Sequence, residues 1–211
     1  TLYFWASIWA GLVGTTMSII IRMELRYVGD NFITEKAYNV LITAHGLLMI
    51  FFFVMPAMMG GFGNWLLPLM LGCPDMMFPR LNNLAFWFVI PSLLLLLLSS
   101  GTESGVGCGW TLYPPLSDLV GQPGWSMDLA IFSMHIAGAS SIGSSINFLC
   151  TLINARPVSM QWDHLPLLLW TVFFTAILLV LSLPVFAGGL TMLLTDRNFN
   201  TSFFHPSGGG D

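Results

Sequence analysis

The sequence contains very little charge. Lys, Arg, Asp and Glu together make up 8% of its 211 residues, whereas soluble domains carry about 25%. A chain with so few charges cannot cover a water-facing surface. Its hydrophobic content of 55% and mean hydropathy of +0.80 must therefore face lipid or other buried protein. The composition predicts an integral membrane protein.

Basic residues are also few, and the cysteines form no recognisable motif. Six Lys and Arg stand against ten Asp and Glu, for a net charge of -4, so no basic face could neutralise a phosphate backbone and nucleic acid is excluded as a partner. The three cysteines, Cys73, Cys108 and Cys150, form no CxxC pair or Cys/His cluster. This argues against a disulfide framework or a zinc site, and we expect small packing residues.

The two ends of the chain lack the features of natural termini. The first apolar stretch has no basic flank before it and no small-residue cleavage site after it, so we expect no signal peptide. The chain starts without Met inside an apolar segment and ends in a glycine-rich loop at 208–211. We expect a segment of a longer protein or one piece of a split subunit.

Long apolar segments dominate what is present. A helix needs about 20 residues to cross a hydrocarbon core of about 30 Å. Five segments are long enough: Leu2 to Ile21, Tyr38 to Leu71, Leu84 to Ser100, Leu129 to Ile153 and Leu165 to Leu194. The second contains Pro56 and several glycines, so we expect it to kink or tilt.

These runs are unbroken, whereas barrel strands alternate over about ten residues. They predict an all-α, polytopic transmembrane bundle. With no internal repeat in view, residues 1–211 are interpreted as one domain.

Two histidines lie well inside these segments. His45 is surrounded by apolar residues, and an ionisable group at membrane depth marks a functional site by default. It is equally compatible with a metal or haem ligand and with a neutral imidazole bonded to a neighbouring helix. No second histidine lies three or four residues away, so any haem would take its other ligand from outside this chain. For His135 a structural role is favoured, and His164 and His205 are expected to be solvated.

Polar residues suggest a second kind of site. Ser133, Ser140, Ser144 and Asn147 are spaced 7, 4 and 3 apart, which places them on one helical face. Such a stripe is compatible with interhelical hydrogen bonding and with the wall of a water-filled proton path. Asp75, between Asn64 and Asn82, would then lie at one end of the path as a proton collector, or simply be solvated.

Several uninterrupted motifs occur in a fixed order along the chain. They are IIRMEL at 20–25, YNV at 38–40, TAH at 43–45, MGGFGNWL at 59–66, PDM at 74–76, FPRLNN at 78–83, GWTLYPPL at 109–116 and LTDRNFNTSFF at 194–204. Over essentially all 211 residues the chain resembles the amino-terminal part of subunit I of the haem-copper cytochrome c oxidases. The resemblance implies that it forms about five helices of a twelve-helix subunit.

The resemblance assigns a haem role to four residues. It implies that His45 is one of two axial ligands of the low-spin haem a, through which electrons enter. Arg22 matches the arginine that hydrogen-bonds the formyl group of that haem. From position alone, an interfacial side chain that snorkels to water is the favoured interpretation of Arg22. Tyr38 and Trp110 match residues near the haem propionates.

Two further sites follow from the resemblance. Glu24 and the backbone of Gly29 resemble part of a peripheral calcium or sodium site. Asp75 resembles the mouth of the D proton pathway, along which the matching residues are Asn64, Asn82, Ser140, Ser141 and Asn147.

The reaction implied is oxidation of cytochrome c coupled to reduction of dioxygen to water, with proton pumping. Haem a3 and copper B would be ligated outside this chain, by the remainder of subunit I. The implied partners are cytochrome c, oxidase subunits II and III and the lipid of the mitochondrial inner membrane or, alternatively, a bacterial plasma membrane. A quinol-oxidising enzyme is the nearest alternative, and a non-catalytic membrane scaffold or channel is the alternative from another class.

The charge distribution and a few residues differ from what the resemblance implies. The distribution of Lys and Arg would put the first loop inside, whereas the resemblance implies the outer side. Gly46-Leu47 stands where the family often has Ala-Phe, and Gly46 is expected to loosen packing beside the haem. His205 stands where the family generally has an acid, and Cys73 and Cys108 replace small or hydroxyl residues.

Overall fold

The computed structural model describes residues 1–27, 29, 32–102, 105–157 and 160–211. All regular elements in these ranges are helical, which confirms the all-α prediction. Five helices are long and apolar enough to cross a membrane, as predicted: α1 (Leu2–Glu24), α2 (Glu35–Leu71), α3 (Pro79–Gly101), α4 (Ser126–Asn154) and α5 (Leu167–Asn198). Two short 3-10 turns, Trp162–His164 and Pro206–Gly208, lie outside them.

Helix α2 changes its winding along its length. It starts where the Thr34 hydroxyl accepts a hydrogen bond from the amide of Ala37, and it ends at Gly72, whose φ of +69° suits glycine. Between these ends, Leu48–Val54 and Pro56–Gly63 are π-helical. Pro56 has no amide hydrogen and its ring displaces a carbonyl in a regular helix. The wider turns occupy the stretch where the sequence predicts a kink or tilt.

Helices α1 and α2 approach closely through glycines on both partners. A Cβ on Gly11 of α1 would lie 2.7 Å from the Phe53 ring of α2, and a Cβ on Gly61 of α2 would lie 2.6 Å from the Phe4 ring of α1. Any side chain at these positions would therefore displace its neighbour. Such small residues let backbones approach within a bilayer, where packing rather than the hydrophobic effect drives helix association.

Helix α4 lies between α3 and α5 and uses part of the predicted polar stripe to bind α3. The Ser92 hydroxyl donates to the Ser133 carbonyl over 2.6 Å, and the Ser133 hydroxyl donates back to the Ser92 carbonyl over 2.7 Å. Two helical turns further along α4, the Ser140 hydroxyl donates to the carbonyl of Ala85 over 2.6 Å. For Ser133 and Ser140, interhelical hydrogen bonding is therefore the observed role.

Arg197 connects α5 to α4 and to the loop after α3 at one end of the bundle. Its Nε donates to the Asp128 carboxylate over 2.7 Å, and its side chain is completely buried. The two terminal nitrogens donate to the carbonyls of Ser117, Gln122 and Gly124 over 2.7 to 3.0 Å. This contact joins the loop after α3 to the end of α5, which places both on the same face of the bundle.

His205 is paired rather than solvated, contrary to expectation. Its Nε2 lies 2.7 Å from a carboxylate oxygen of Asp118, and 35% of the His205 side chain is exposed. Asp118 is buried, and its other oxygen has no hydrogen-bond partner among the described residues. The neighbouring Asp196 carboxylate accepts from the amides of Phe203 and Phe204 over 3.0 and 2.9 Å. His205 was misjudged because its partner lies in a distant loop.

Candidate haem and proton-pathway sites

His45 is held by a neighbouring helix in one tautomer. Its Nδ1 lies 2.9 Å from the carbonyl oxygen of Gly14 in α1. Because a carbonyl can only accept, Nδ1 carries a proton, and in the neutral imidazole the lone pair is then on Nε2. A metal-ligating histidine commonly donates its other N–H to a backbone carbonyl in this way, which fixes the ring and its tautomer. The bond to a neighbouring helix and the ligand role, left open by the sequence, are thus compatible.

The side chain of Trp110 packs against Gly46, the residue that follows this histidine. A Cβ on Gly46 would lie 3.1 Å from Cβ of Trp110 and 3.4 Å from its Cγ. The absence of a side chain at Gly46 therefore admits the tryptophan, and the looser packing expected from the sequence is not observed. The backbone before the indole is anchored as well, since the amide of Gly109 donates to the Thr43 hydroxyl over 2.9 Å.

Arg22 and Tyr38 lie on the same two helices as this contact. Arg22 is exposed and lies eight residues after Gly14, which is about 12 Å along α1. Tyr38 is half-buried and lies seven residues before His45, hence on the same face of α2. Among the described residues neither side chain forms a hydrogen bond, so a donor guanidinium and a phenol are available about two helical turns from the imidazole and its Gly14 partner. Their haem roles stay predictions.

Glu24 closes the loop between α1 and α2. One of its carboxylate oxygens accepts hydrogen bonds from the amides of Phe32 and Ile33, each over 2.9 Å. Gly29 is exposed and has a φ of +83°. Within the described ranges no three His, Cys, Asp or Glu side chains come together to hold a metal ion. The cation site at Glu24 and Gly29 remains a prediction that needs further ligands, such as backbone carbonyls.

At the opposite face of the bundle, Asp75, Asn64 and Asn82 line one open cleft of about 660 Å³. Asp75 is exposed, and one of its oxygens accepts the amide of Met76 over 2.7 Å. The side-chain amide of Asn64 donates to the carbonyl of Gly60 over 2.8 Å, while its oxygen is buried without a partner. The cleft thus joins a solvated carboxylate to an unsatisfied acceptor inside the helices.

A small cavity lies next to this cleft, and Tyr3 and Gly60 line both spaces. The cavity has a volume of about 30 Å³ and is lined by Ser140, Ser141, Ser144 and Ser145 together with Tyr3. A water needs about 10 to 15 Å³ of such volume, so the cavity has room for about two. The hydroxyls of Tyr3 and Ser145 are buried with no hydrogen-bond partner among the described residues. Unsatisfied hydroxyls beside an internal cavity are suitable water ligands.

Tyr3 connects the two spaces and was not anticipated from the sequence. Together with Gly60 it lines both the cleft and the cavity. Its hydroxyl faces Ser140 and Ser144 without a full hydrogen bond to either. In the sequence it is one more aromatic residue in the first apolar segment. The glycine at position 60, against which its ring packs, does not single it out either, because Gly61 packs in the same way against the ring of Phe4.

Asn147 lies outside both spaces. Its side-chain oxygen accepts from the amide of Phe78 over 2.9 Å, and its nitrogen donates to the Phe78 carbonyl over 3.3 Å. One turn later the Thr151 hydroxyl accepts from the amide of Met77 over 3.1 Å. These bonds fix the backbone just after Asp75, so the contribution of Asn147 to a path through the cleft is positional.

His135 bridges two helices, the structural role favoured by the sequence. Its Nδ1 lies 2.9 Å from the carbonyl of Ile131 in the same helix, and its Nε2 lies 3.0 Å from the Thr191 hydroxyl of α5. Both ring nitrogens are therefore engaged, which leaves no lone pair for a metal. This contrasts with His45.

Comparison with known proteins gives matches over the whole chain. A family model described as Cytochrome C and Quinol oxidase polypeptide I matches residues 1–211. Cytochrome c oxidase subunit 1 of Yarrowia lipolytica is 55% identical over 212 residues, and that of Eremothecium gossypii is 52% identical over 212 residues. Each match covers 100% of this chain, which spans 40% of the length of these curated relatives.

Proposed function

Because this chain belongs to the cytochrome c and quinol oxidase polypeptide I family, we propose that it is the haem a-binding, amino-terminal part of the catalytic subunit of a cytochrome c oxidase. The complete enzyme would pass electrons from cytochrome c through haem a to a haem-copper centre that reduces dioxygen to water, and would pump protons. The observation that carries the proposal is the hydrogen bond of His45 Nδ1 with the Gly14 carbonyl, which leaves Nε2 without a partner among the described residues.

Four side chains fit haem a. His45 would hold the iron through Nε2, Arg22 would donate to the formyl oxygen, and Tyr38 and Trp110 would face the propionates. Bound haem supplies one-electron redox chemistry, while this chain supplies the orientation of the imidazole and the polar groups around the ring. The second axial ligand, haem a3 and copper B belong to the remainder of subunit I.

The cleft and the cavity support a proton path from Asp75. A path through an apolar slab needs an ionisable collector at the aqueous surface and polar groups that hold water further in. Asp75 supplies the first, with Asn64 and Asn82 beside it in the cleft. The unpartnered hydroxyl of Tyr3 would supply the second, together with the oxygens of Ser140 and Ser141, which line the cavity and can still accept while they donate to backbone carbonyls. Asn147 holds the segment that carries the collector.

The names of the relatives favour one electron donor. Both are called cytochrome c oxidase, so cytochrome c is proposed as donor in preference to a quinol. The proposed setting is the mitochondrial inner membrane, since both relatives come from yeasts, with subunits II and III and the rest of subunit I as partners. A calcium or sodium ion at Glu24 and Gly29 is part of the proposal.

Replacement of His45 tests the haem assignment. In the assembled oxidase, His45→Leu removes the proposed iron ligand and should abolish or shift the low-spin haem absorption. His164→Leu is the matched control, because His164 is exposed in a short turn between α4 and α5. An unchanged low-spin spectrum in His45→Leu would falsify the assignment.

Replacement of Asp75 tests the proton path. Asp75→Asn keeps the shape but removes the titrating group, so turnover should slow and pumping should stop while haem a stays in place. Asp163→Asn is the control, because Asp163 is an exposed carboxylate in the α4–α5 loop on the same face. Proton uptake and oxygen consumption are measured together in vesicles. Wild-type values for both in Asp75→Asn would show that this route is not used.

A further inference from the structure

Asp118 and His205 form a contact between the loop after α3 and the segment that follows α5, residues 199–211. Nε2 of His205 lies 2.7 Å from one carboxylate oxygen of Asp118. Only 5% of the Asp118 side chain is exposed, whereas 35% of the His205 side chain is exposed. The second carboxylate oxygen is buried and has no hydrogen-bond partner among the described residues. Within the described ranges, His205 is therefore the partner on which this buried carboxylate depends.

Turns in the backbone hold the two side chains in place. The amide of Gln122 donates to the carbonyl of Asp118 over 2.8 Å, and the amide of Gly210 donates to the carbonyl of His205 over 3.0 Å. Arg197 also donates to the Gln122 carbonyl, over 2.9 Å. Because both backbones are fixed in this way, the strength of the contact depends on the charges of the imidazole and the carboxylate.

Other charges near His205 do not replace Asp118 as its partner. The charged residues in the described elements around it are, besides Asp118, Asp128, Asp196, Arg197 and Asp211. Arg197 is matched by Asp128 over 2.7 Å, and Asp211 is exposed. Asp196 already accepts from two amides of the segment, and it adds attraction for a positive charge on His205. A positive imidazole is thus the group that can neutralise the buried carboxylate.

We propose that the Asp118–His205 pair is a proton-binding site that acts as a pH-dependent clamp: at low pH the pair holds one proton, which fastens segment 199–211 to the loop after α3. Binding of this proton belongs to the coupled pair rather than to either residue. Loss of the proton leaves a buried carboxylate opposite an uncharged ring, which is unfavourable. Histidine changes its charge between about pH 5 and 8. The stabilisation is therefore present at low pH and is lost as the pH rises through this range.

Three variants separate the charge of each partner from its shape. His205→Gln keeps a hydrogen-bond donor but cannot take up a proton, whereas His205→Lys stays positive throughout this range. Asp118→Asn keeps the shape of the carboxylate and removes its charge. His164→Gln is the matched control, because His164 is an exposed histidine in the α4–α5 loop at the opposite face.

The experiment is hydrogen–deuterium exchange of segment 199–211 in the purified, assembled oxidase at pH 6 and pH 8, corrected for the intrinsic pH dependence of amide exchange. The amides of residues 208–210, which are hydrogen-bonded within the segment, should exchange roughly fivefold to tenfold faster at pH 8 in the wild type, because a hydrogen bond to a charged group is stronger by about this factor. His164→Gln should give the same ratio. His205→Gln and Asp118→Asn should bring the ratio close to one, and His205→Lys should keep exchange slow at both pH values.

Equal corrected exchange at pH 6 and pH 8 in the wild type would overturn the inference, whichever variants assemble. A wild-type ratio in His205→Gln or in Asp118→Asn would also overturn it, because the proton would then be held elsewhere. The clamp does not depend on the proposed function, since the measurement follows backbone amides and the haem assignment is tested separately by the low-spin spectrum of His45→Leu.

Discussion

Arg197 is the charged residue whose removal should cost the fold most. Its side chain is completely buried, while its partner Asp128 keeps 15% of its side chain exposed. Arg197→Met fills a similar volume but leaves the Asp128 carboxylate and three loop carbonyls without their donor. Removing one partner of a buried ion pair costs about 3 to 5 kcal/mol. Since each 1.4 kcal/mol is a factor of ten, the folding equilibrium falls by roughly 100-fold or more.

The assay compares the amount of assembled oxidase in membranes with its rate of thermal inactivation. Arg197→Met should lower the amount of assembled oxidase and raise the rate of thermal inactivation. Arg197→Lys should be intermediate, because an ammonium group cannot reproduce the forked geometry that reaches several acceptors at once. Asp128→Leu combined with Arg197→Met should recover part of the loss, since no unpaired carboxylate then remains. The carbonyls of the loop stay unsatisfied, so recovery is incomplete.

Arg26→Met provides the matched control. Arg26 is an exposed arginine on the same face, and its guanidinium lies 5.0 Å from the centre of the Tyr27 ring. Exposed pairs of this kind contribute less than about 1 kcal/mol, so this variant should behave as wild type. Equal stability of Arg197→Met and Arg26→Met would refute the reasoning that burial makes the Arg197 clamp important.

Three further predictions concern other contacts. His205→Asp places a second carboxylate against Asp118 and should speed thermal inactivation, whereas adding Asp118→Ser should reverse the effect. Additive effects of the two substitutions in this double-mutant cycle would contradict the pairing of His205 with Asp118. Burial raises the pKa of the Cys108 thiol to about 11, so the protonated, unreactive form prevails below that pH. Iodoacetamide labelling of Cys108 in the native oxidase should therefore be slow at pH 8 and become faster up to pH 11. Labelling at pH 7 as fast as that of free cysteine would disprove this prediction. Gly60→Ala brings a methyl group against an aromatic ring of α1 and should reduce assembly of the oxidase. In Gly188→Ala the new methyl group meets nothing within 4 Å, so this variant should assemble normally. Equal assembly of the two variants would exclude close packing at Gly60.

The sequence predicts those features that depend on local composition. Unbroken apolar runs place the five spans, because a bilayer requires about 20 apolar residues per crossing. The helices extend beyond the runs by several residues, as at the end of α5, where Asp196 and Arg197 continue the helix to Asn198. Polar side chains in the last turn carry no apolar signal, so the boundary cannot be read from hydropathy.

Contacts between distant segments explain most of what the sequence leaves open. The partner of His205 lies in the loop after α3, and the acceptor for the Gly109 amide lies 66 residues away. No local pattern predicts either pair. The polar stripe of α4 allowed two interpretations because a hydroxyl at membrane depth serves a neighbouring helix or water equally well. Ser133 bonds α3, whereas Ser144 lines a cavity, and only their neighbours distinguish them.

The hydrogen bond from His45 to Gly14 has a consequence for biogenesis. Both residues belong to the first two helices, which also contribute to each other the glycines at their interface. As the chain emerges from the ribosome, α1 and α2 can pair in the bilayer as a hairpin before α3 is made. The imidazole of such a nascent hairpin already has its proton on Nδ1 and its lone pair on Nε2. Pairing of α1 with α2 is therefore sufficient to supply the partner that orients the proposed ligand, and it requires none of the three later spans.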